Sequence, residues 1–258
     1  MKITWFGTAS LLIEHENDSI LIDPFLTLRG AENLTALSDY HQAESILVTH
    51  GHIDHLGSIP LILRNLDATV YCSECPCATL ERRKVDEDQI VTIRPGDTLH
   101  FGDIKVNVLS GKHIQFDSRL IKSTFLNLRI LRYFPNLVLL LLKNHSYQEG
   151  NETLAFQITC GHKKVLVLGS LGLNEQENYP KNVDMLVLPY QGASDLITPT
   201  LAVIRQIKPR TVLLDHFDDA FPPISRKIDT KPLKKALAEH FPGLPVVKPT
   251  SGKPITLL

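Results

Sequence analysis

The chain opens by alternating short apolar runs with turn residues. Lys2–Phe6, Ser10–Glu14 and Ile20–Ile22 have the spacing of a β-meander. Ser45–Thr49 is the unbroken run of a buried strand, and His50 follows it directly. The period then changes: Leu56, Ile59, Leu63 and Leu66 recur at helical spacing and predict one helix over 56–66. Ala68–Tyr71 reads as a strand and Pro76–Arg83 as a short helix. Strands follow at Gln89–Ile93, Thr98–Phe101 and Ile104–Leu109, with turns at Arg94-Pro95-Gly96-Asp97 and at the hairpin dipeptide Gly102-Asp103.

After Gln115 the pattern shifts. Leu120 to Leu142 is dense in Leu, Ile, Phe and Val, interrupted at Pro135-Asn136. This predicts one or two helices inserted at about 116–150, although Leu137–Leu142 alone also fits one buried strand. Strands resume at Thr153–Cys160, Lys164–Leu168, Val183–Leu188 and Thr211–Leu214, with closing strands near Val246 and Ile255. Helices are expected at Pro199–Ile207 and Lys231–His240. Strand runs with strand–helix alternation after them place the chain in the α/β (α+β) class. No internal repeat is legible in the residues. Residues 1–258 read as a single domain carrying one insertion.

Composition narrows the function classes. The 258 residues are 43% hydrophobic and 21% charged with a formal net charge of -1, an ordinary globular balance. Nothing in that charge draws the chain to nucleic acid or to an anionic membrane. The opening residues are too short and mixed for the apolar stretch of a signal peptide. The longest apolar run is far short of the roughly 20 residues that span a bilayer. The expectation is therefore a cytoplasmic protein without membrane insertion, acting on a small molecule, with a homo-oligomer contact as one use of the inserted helices. Three of the four cysteines crowd into Cys72-Ser-Glu-Cys75-Pro-Cys77. A zinc site of that kind needs a second ligand pair, and Cys160 stands alone, which favours reduced thiols.

His50-Gly51-His52-Ile53-Asp54-His55 carries the chemistry. His50 and His52, two apart beyond a strand, can point the same way, and Asp54 and His55 follow where the chain curls into a helix. One loop thus offers three imidazoles and a carboxylate to one pocket, a donor mixture suited to Zn²⁺.

With this motif, the opening Thr4-Trp5-Phe6-Gly7-Thr8-Ala9-Ser10 and Ile20-Leu21-Ile22-Asp23-Pro24 make the chain resemble the metallo-β-lactamase-fold hydrolase superfamily, and within it the lactonase-like branch. The resemblance implies a four-layer αβ/βα sandwich with metals at one edge. It implies a first metal site of His50, His52 and His113, and a second of Asp54, His55 and His216, with Asp23 orienting a ligand histidine. It also implies a bridging Asp after the strand at Val165–Leu168, where this chain reads Gly169-Ser170-Leu171-Gly172. Asp218 and Asp219, in His216-Phe217-Asp218-Asp219, are the replacement candidates. A cap or loop hydrogen bond is the other reading of Asp218.

The function implied is a metal-dependent hydrolase that directs a metal-bound hydroxide at a small ester, lactone or phosphoester. One or two Zn²⁺, or Mn²⁺, would serve, with Asp54 and His216 as catalytic residues. Alternatives are a phosphodiesterase or phospholipase-type hydrolase, or a non-catalytic metal-binding sensor that retains the fold. A lid formed by Leu120–Leu142 would favour lipophilic substrates; packing on the sandwich is the plainer use of that segment.

Overall fold

The computed structural model describes residues 1–114, 128–144 and 147–257. Fourteen strands among them form two sheets. The first holds β1 (Lys2–Gly7), β2 (Ser10–His15), β3 (Asp18–Ile22), β4 (Ser45–Leu47), β5 (Thr69–Cys72), β6 (Ile90–Thr92) and, at its far edge, the C-terminal β14 (Pro254–Thr256). The second holds β7 (Thr98–Phe101), β8 (Ile104–Ser110), β9 (Leu154–Cys160), β10 (Lys163–Leu168), β11 (Met185–Pro189), β12 (Val212–Asp215) and β13 (Val246–Val247).

The two sheets are built alike. In the order β14-β1-β2-β3-β4-β5-β6 the first three pairs are antiparallel and the last three parallel. The order β7-β8-β9-β10-β11-β12-β13 repeats that scheme. This duplication has no counterpart in the residues, because apolar strand positions accept many sequences of the same pattern.

Strand periodicity decides which side chain meets which layer. On β2, Leu11 and Ile13 enter the core between the sheets while Leu12 faces outward; on β3, Ile20 and Ile22 go in and Leu21 goes out. Leu12, Leu21, Ile46 and Val70 form the outer core with Leu56, Ile59, Ile62 and Leu80. Those last four come from α1 (Ile53–Leu56), α2 (Ile59–Leu63) and α3 (Glu74–Arg82). A sheet covered on both faces needs apolar residues on both, which is why its central strands read as unbroken runs. The second sheet is covered by α6 (Ile197–Ile207) and α7 (Lys231–His240) through Val203, Ile204, Ile207, Leu233 and Leu237.

Two expectations change. The helix expected over 56–66 is two short helices, α1 ending at the cap Gly57 and α2 beginning after Ser58. Pro60 has no N–H to donate to the preceding turn, so one helix cannot run through it. The expected insertion falls partly on 115–127 and 145–146, outside the described residues. Its described part is α4 (Arg129–Arg132) and α5 (Phe134–Asn144), so Leu137–Leu142 is helical and not a strand. Asn136 is buried in α5 and donates to the carbonyls of Arg29 and Pro222, while Arg129 pairs with Asp219. These contacts moor the helices beside the segment that follows β12. No helix among the described residues is long and apolar enough to cross a membrane.

Candidate metal centre

The loop leaving β4 turns directly into α1. His50 lies on the approach, His52 occupies the cap position, and Asp54 and His55 fall in the single turn of helix. Gly51 is fixed by space: a Cβ there would stand 2.0 Å from the Gln148 carbonyl oxygen. The second sheet contributes His113, just past β8, and His216, just past β12. All six side chains therefore meet at one edge of the sandwich.

They form two donor groups, His50/His52/His113 and Asp54/His55/His216, with the donor atoms of each within 4.8 Å of one another. His50 Nε2 lies 3.0 Å from His52 Nδ1. His216 Nε2 lies 3.3 Å from His55 Nε2 and 3.2 Å from Asp54 Oδ2.

The surrounding acceptors assign the tautomers. Thr49 Oγ1 donates to Asp23 Oδ2 at 2.6 Å and so can accept from His50 Nδ1 at 3.0 Å. His55 Nδ1 donates to Asp23 Oδ2 at 2.7 Å. His113 Nδ1 donates to the Ile114 carbonyl at 2.6 Å, and His216 Nδ1 lies 3.3 Å from Gln191 Oε1. With Nδ1 of each ring taken up by these acceptors, four Nε2 atoms are left to face the cluster, where a cation would meet their lone pairs. That is how metal-ligating histidines are oriented. Asp23 is the hub of this support, since it also accepts the Thr49 N–H at 2.8 Å.

Electrostatics point the same way. Burial holds His50 well below the usual imidazole value, and the surrounding histidines add to it. Burial takes His52 down to about 4 against the opposing pull of Asp54, and burial also lowers His113. The first group thus offers unprotonated nitrogens at neutral pH. In the second, burial alone would raise Asp54, but His55 and His216 outweigh it and keep it well below the carboxylate range. Burial would lower His55, but Asp23 and Asp54 bring it up to about 9, so in the bare protein a proton sits where a cation would bind. Neighbouring Asp215 is fully buried, and burial keeps its carboxyl well above the usual range. The donor chemistry of both groups fits a divalent cation.

The other sequence candidates serve as braces. Ser170 Oγ accepts the Ile114 N–H at 3.0 Å, which steadies the loop carrying His113. Its turn sits tight against the strand leading to His50, since a Cβ on Gly169 would meet Thr49 Cβ at 2.6 Å. Asp218 belongs to neither donor group: it accepts from Thr8 N at 2.9 Å and Asn33 Nδ2 at 3.1 Å. Asp219 holds Arg129 and the Ser225 hydroxyl. The loop-hydrogen-bond reading of Asp218 therefore describes its contacts, and no carboxylate among the described residues is common to both groups. The four cysteines are free thiols outside both.

The opening segment also has a task here. Trp5 stacks on Phe217 with ring centroids 4.9 Å apart and donates from Nε1 to the Thr8 carbonyl. That carbonyl also accepts the His216 N–H at 2.8 Å. Thr8 and His216 both have left-handed backbones, at φ 51° and 57°. Residues remote in sequence thus lock each other and hold the backbone that carries the His216 ring. Sequence reading missed Thr49 and Gln191; only the neighbour position of Thr49 beside His50 signalled either.

Comparison with known proteins gives a match to the family described as "Beta-lactamase superfamily domain" over residues 2–216. A "UPF0173 metal-dependent hydrolase" of Archaeoglobus fulgidus is 37% identical over 113 residues, which are 44% of this chain and 46% of that protein. The match thus spans less than half of that relative's length. Among solved structures, the metallo hydrolase Igni18 of Ignicoccus hospitalis superposes with a TM-score of 0.66 at 18% identity, covering 100% of this chain and 98% of the other. The isothiocyanate hydrolase from Delia radicum gut bacteria gives 0.63 at 16% identity, covering 100% and 99%. These two likenesses concern the fold.

Proposed function

The chain belongs to the beta-lactamase superfamily, and from that premise we propose that it is a metal-dependent hydrolase of small esters, lactones or phosphoesters. The observation that carries this reading is the pair of three-donor groups whose ring lone pairs are turned toward one another by Asp23, Thr49, Ile114 and Gln191. His50, His52 and His113 would hold one cation, and Asp54, His55 and His216 a second. Zn²⁺ suits donor sets this rich in imidazole, and Mn²⁺ the carboxylate-bearing one. A cation bound there would lower the pKa of water and polarise the carbonyl or phosphoryl oxygen of the substrate.

The protein's own groups do the rest. Asp54, kept ionised by His55 and His216, accepts a hydrogen bond from the attacking water and aims its oxygen at the acyl carbon or phosphorus. The proton of the attacking water passes by way of Asp54 to the leaving oxygen as its bond breaks. His216, 3.2 Å from Asp54 and with its Nδ1 turned to Gln191, would serve the reaction by holding the second cation beside Asp54. The four free thiols suit a cytoplasmic setting.

The test is metal analysis followed by hydrolysis of bis(4-nitrophenyl) phosphate and a lactone panel. Activity lost on chelation and restored by Zn²⁺ or Mn²⁺ is expected. Full metal loading with no turnover of any substrate would instead support a binding or sensor role.

A further inference from the structure

Beyond the donor groups the site opens into a cavity of about 860 Å³. A water molecule takes about 30 Å³ of liquid, whereas ligand pockets run roughly 300–1,000 Å³. The space is therefore far larger than an ion and its waters require. Its chemistry is uneven. His50, His52, His113 and His216 stand at the metal end, and Leu137, Leu140, Leu141, Phe221 and Ile224 furnish an apolar wall. Three of those five come from α5, at the i, i+3, i+4 spacing of one helical face. Leu137 and Leu140 are buried, and Leu141 is 59% exposed, which places it at the mouth. The mooring of α5 through Asn136 keeps that face over the site.

We propose that this wall makes the substrate class lipophilic: a compound whose hydrolysable group lies at the donor cluster and whose acyl chain or aryl group lies along α5. The inference rests on the hydrolase reading for the word substrate, but the cavity's preference for an apolar ligand is measurable without turnover. Water against these leucines is displaced with a gain that grows with the apolar area covered. A polar substrate would leave that gain unused.

The test is displacement of anilinonaphthalenesulfonate from the metal-loaded protein by straight-chain carboxylates from butanoate to dodecanoate. Affinity should rise roughly two- to fourfold per added CH₂ until the wall is covered. Leu141→Gln should weaken dodecanoate about fivefold or more. Leu142→Gln, one position along the same helix, 76% exposed and outside the cavity, should change it by less than about twofold. Leu140→Gln probes deeper in the wall; because Leu140 is buried, Leu141→Gln is the variant that keeps the test independent of folding. Affinity independent of chain length would overturn the proposal. So would equal loss in Leu141→Gln and Leu142→Gln, which would assign binding to the outer face of α5. Hydrolysis of 4-nitrophenyl esters, measured in parallel, separates the two claims. Turnover with flat chain-length dependence sinks the lipophilic assignment alone. A steep binding series with no turnover of these esters, of bis(4-nitrophenyl) phosphate or of the lactone panel supports the apolar cavity and sinks the hydrolase reading.

Discussion

Replacing Asp23 by Asn tests the support of the metal centre without removing a donor. Asp23 receives three hydrogen bonds: His55 Nδ1 and Thr49 Oγ1 on Oδ2, and Thr49 N on Oδ1. Its φ of 46° is left-handed, a conformation asparagine adopts readily, so the backbone should stay in place. If the amide oxygen keeps the Thr49 N–H, the amide nitrogen stands where two donors point, and the bond that fixes His55 is lost. A hydrogen bond to a charged group contributes about 1.5–3 kcal/mol, or roughly a 10- to 150-fold change in an equilibrium. Losing an outer partner of a metal-bound histidine generally costs about 10- to 100-fold in metal affinity. Asp23→Asn should therefore weaken the cation held by Asp54, His55 and His216 by about 10- to 100-fold. The cation held by His50, His52 and His113, linked to Asp23 only through Thr49, should lose less. Competition with a chromophoric chelator, combined with metal counting by mass spectrometry, resolves the two steps. Two unchanged binding steps in a folded Asp23→Asn protein would refute the orienting role.

Three further outcomes follow from particular residues. His113→Ala should leave a folded protein that loses one metal per chain, read by elemental analysis; full loading would remove His113 from the first group. Gly51→Ala should lower the thermal midpoint and metal content together, since the new Cβ has to displace the Gln148 carbonyl. Tyr40 is 1% exposed and donates to the Phe25 carbonyl at 2.8 Å, and burial pushes its phenol up to about 12. The folded state therefore holds the Tyr40 proton more tightly than the unfolded chain. That contribution is whole below pH 10 and lost as pH rises toward 12, by roughly 2–3 kcal/mol. Tyr40→Phe should cost about 1 kcal/mol at pH 8 and shrink the alkaline loss, as followed by urea unfolding at pH 8 and pH 11.5.

Much of this was legible along the chain because the information is local. Strand and helix periodicity placed nearly every element; Lys231–His240 was read to the residue. His50 to His55 announced itself because one loop supplies four of the six donors. The two-part helix over 53–63 was misread because leucine spacing was weighed and the missing N–H of Pro60 was not.

Other features exist only in three dimensions. The duplicated sheet scheme depends on which strand pairs with which, and period-two patterns do not encode partners. The loop hydrogen bonding of Asp218 was one reading of the sequence, but the partners of Asp218 and Asp219 could not be read beside His216, because Thr8, Asn33 and Arg129 are remote in sequence. The same holds for Trp5 and Phe217, which stack across the length of the chain to hold the His216 turn. The sequence by itself named the six side chains that could donate to a metal, since ligand chemistry belongs to the side chain. The tertiary structure decided which nitrogen each donor presents and what lies opposite it, because both depend on neighbours that only folding brings within hydrogen-bond and contact distance.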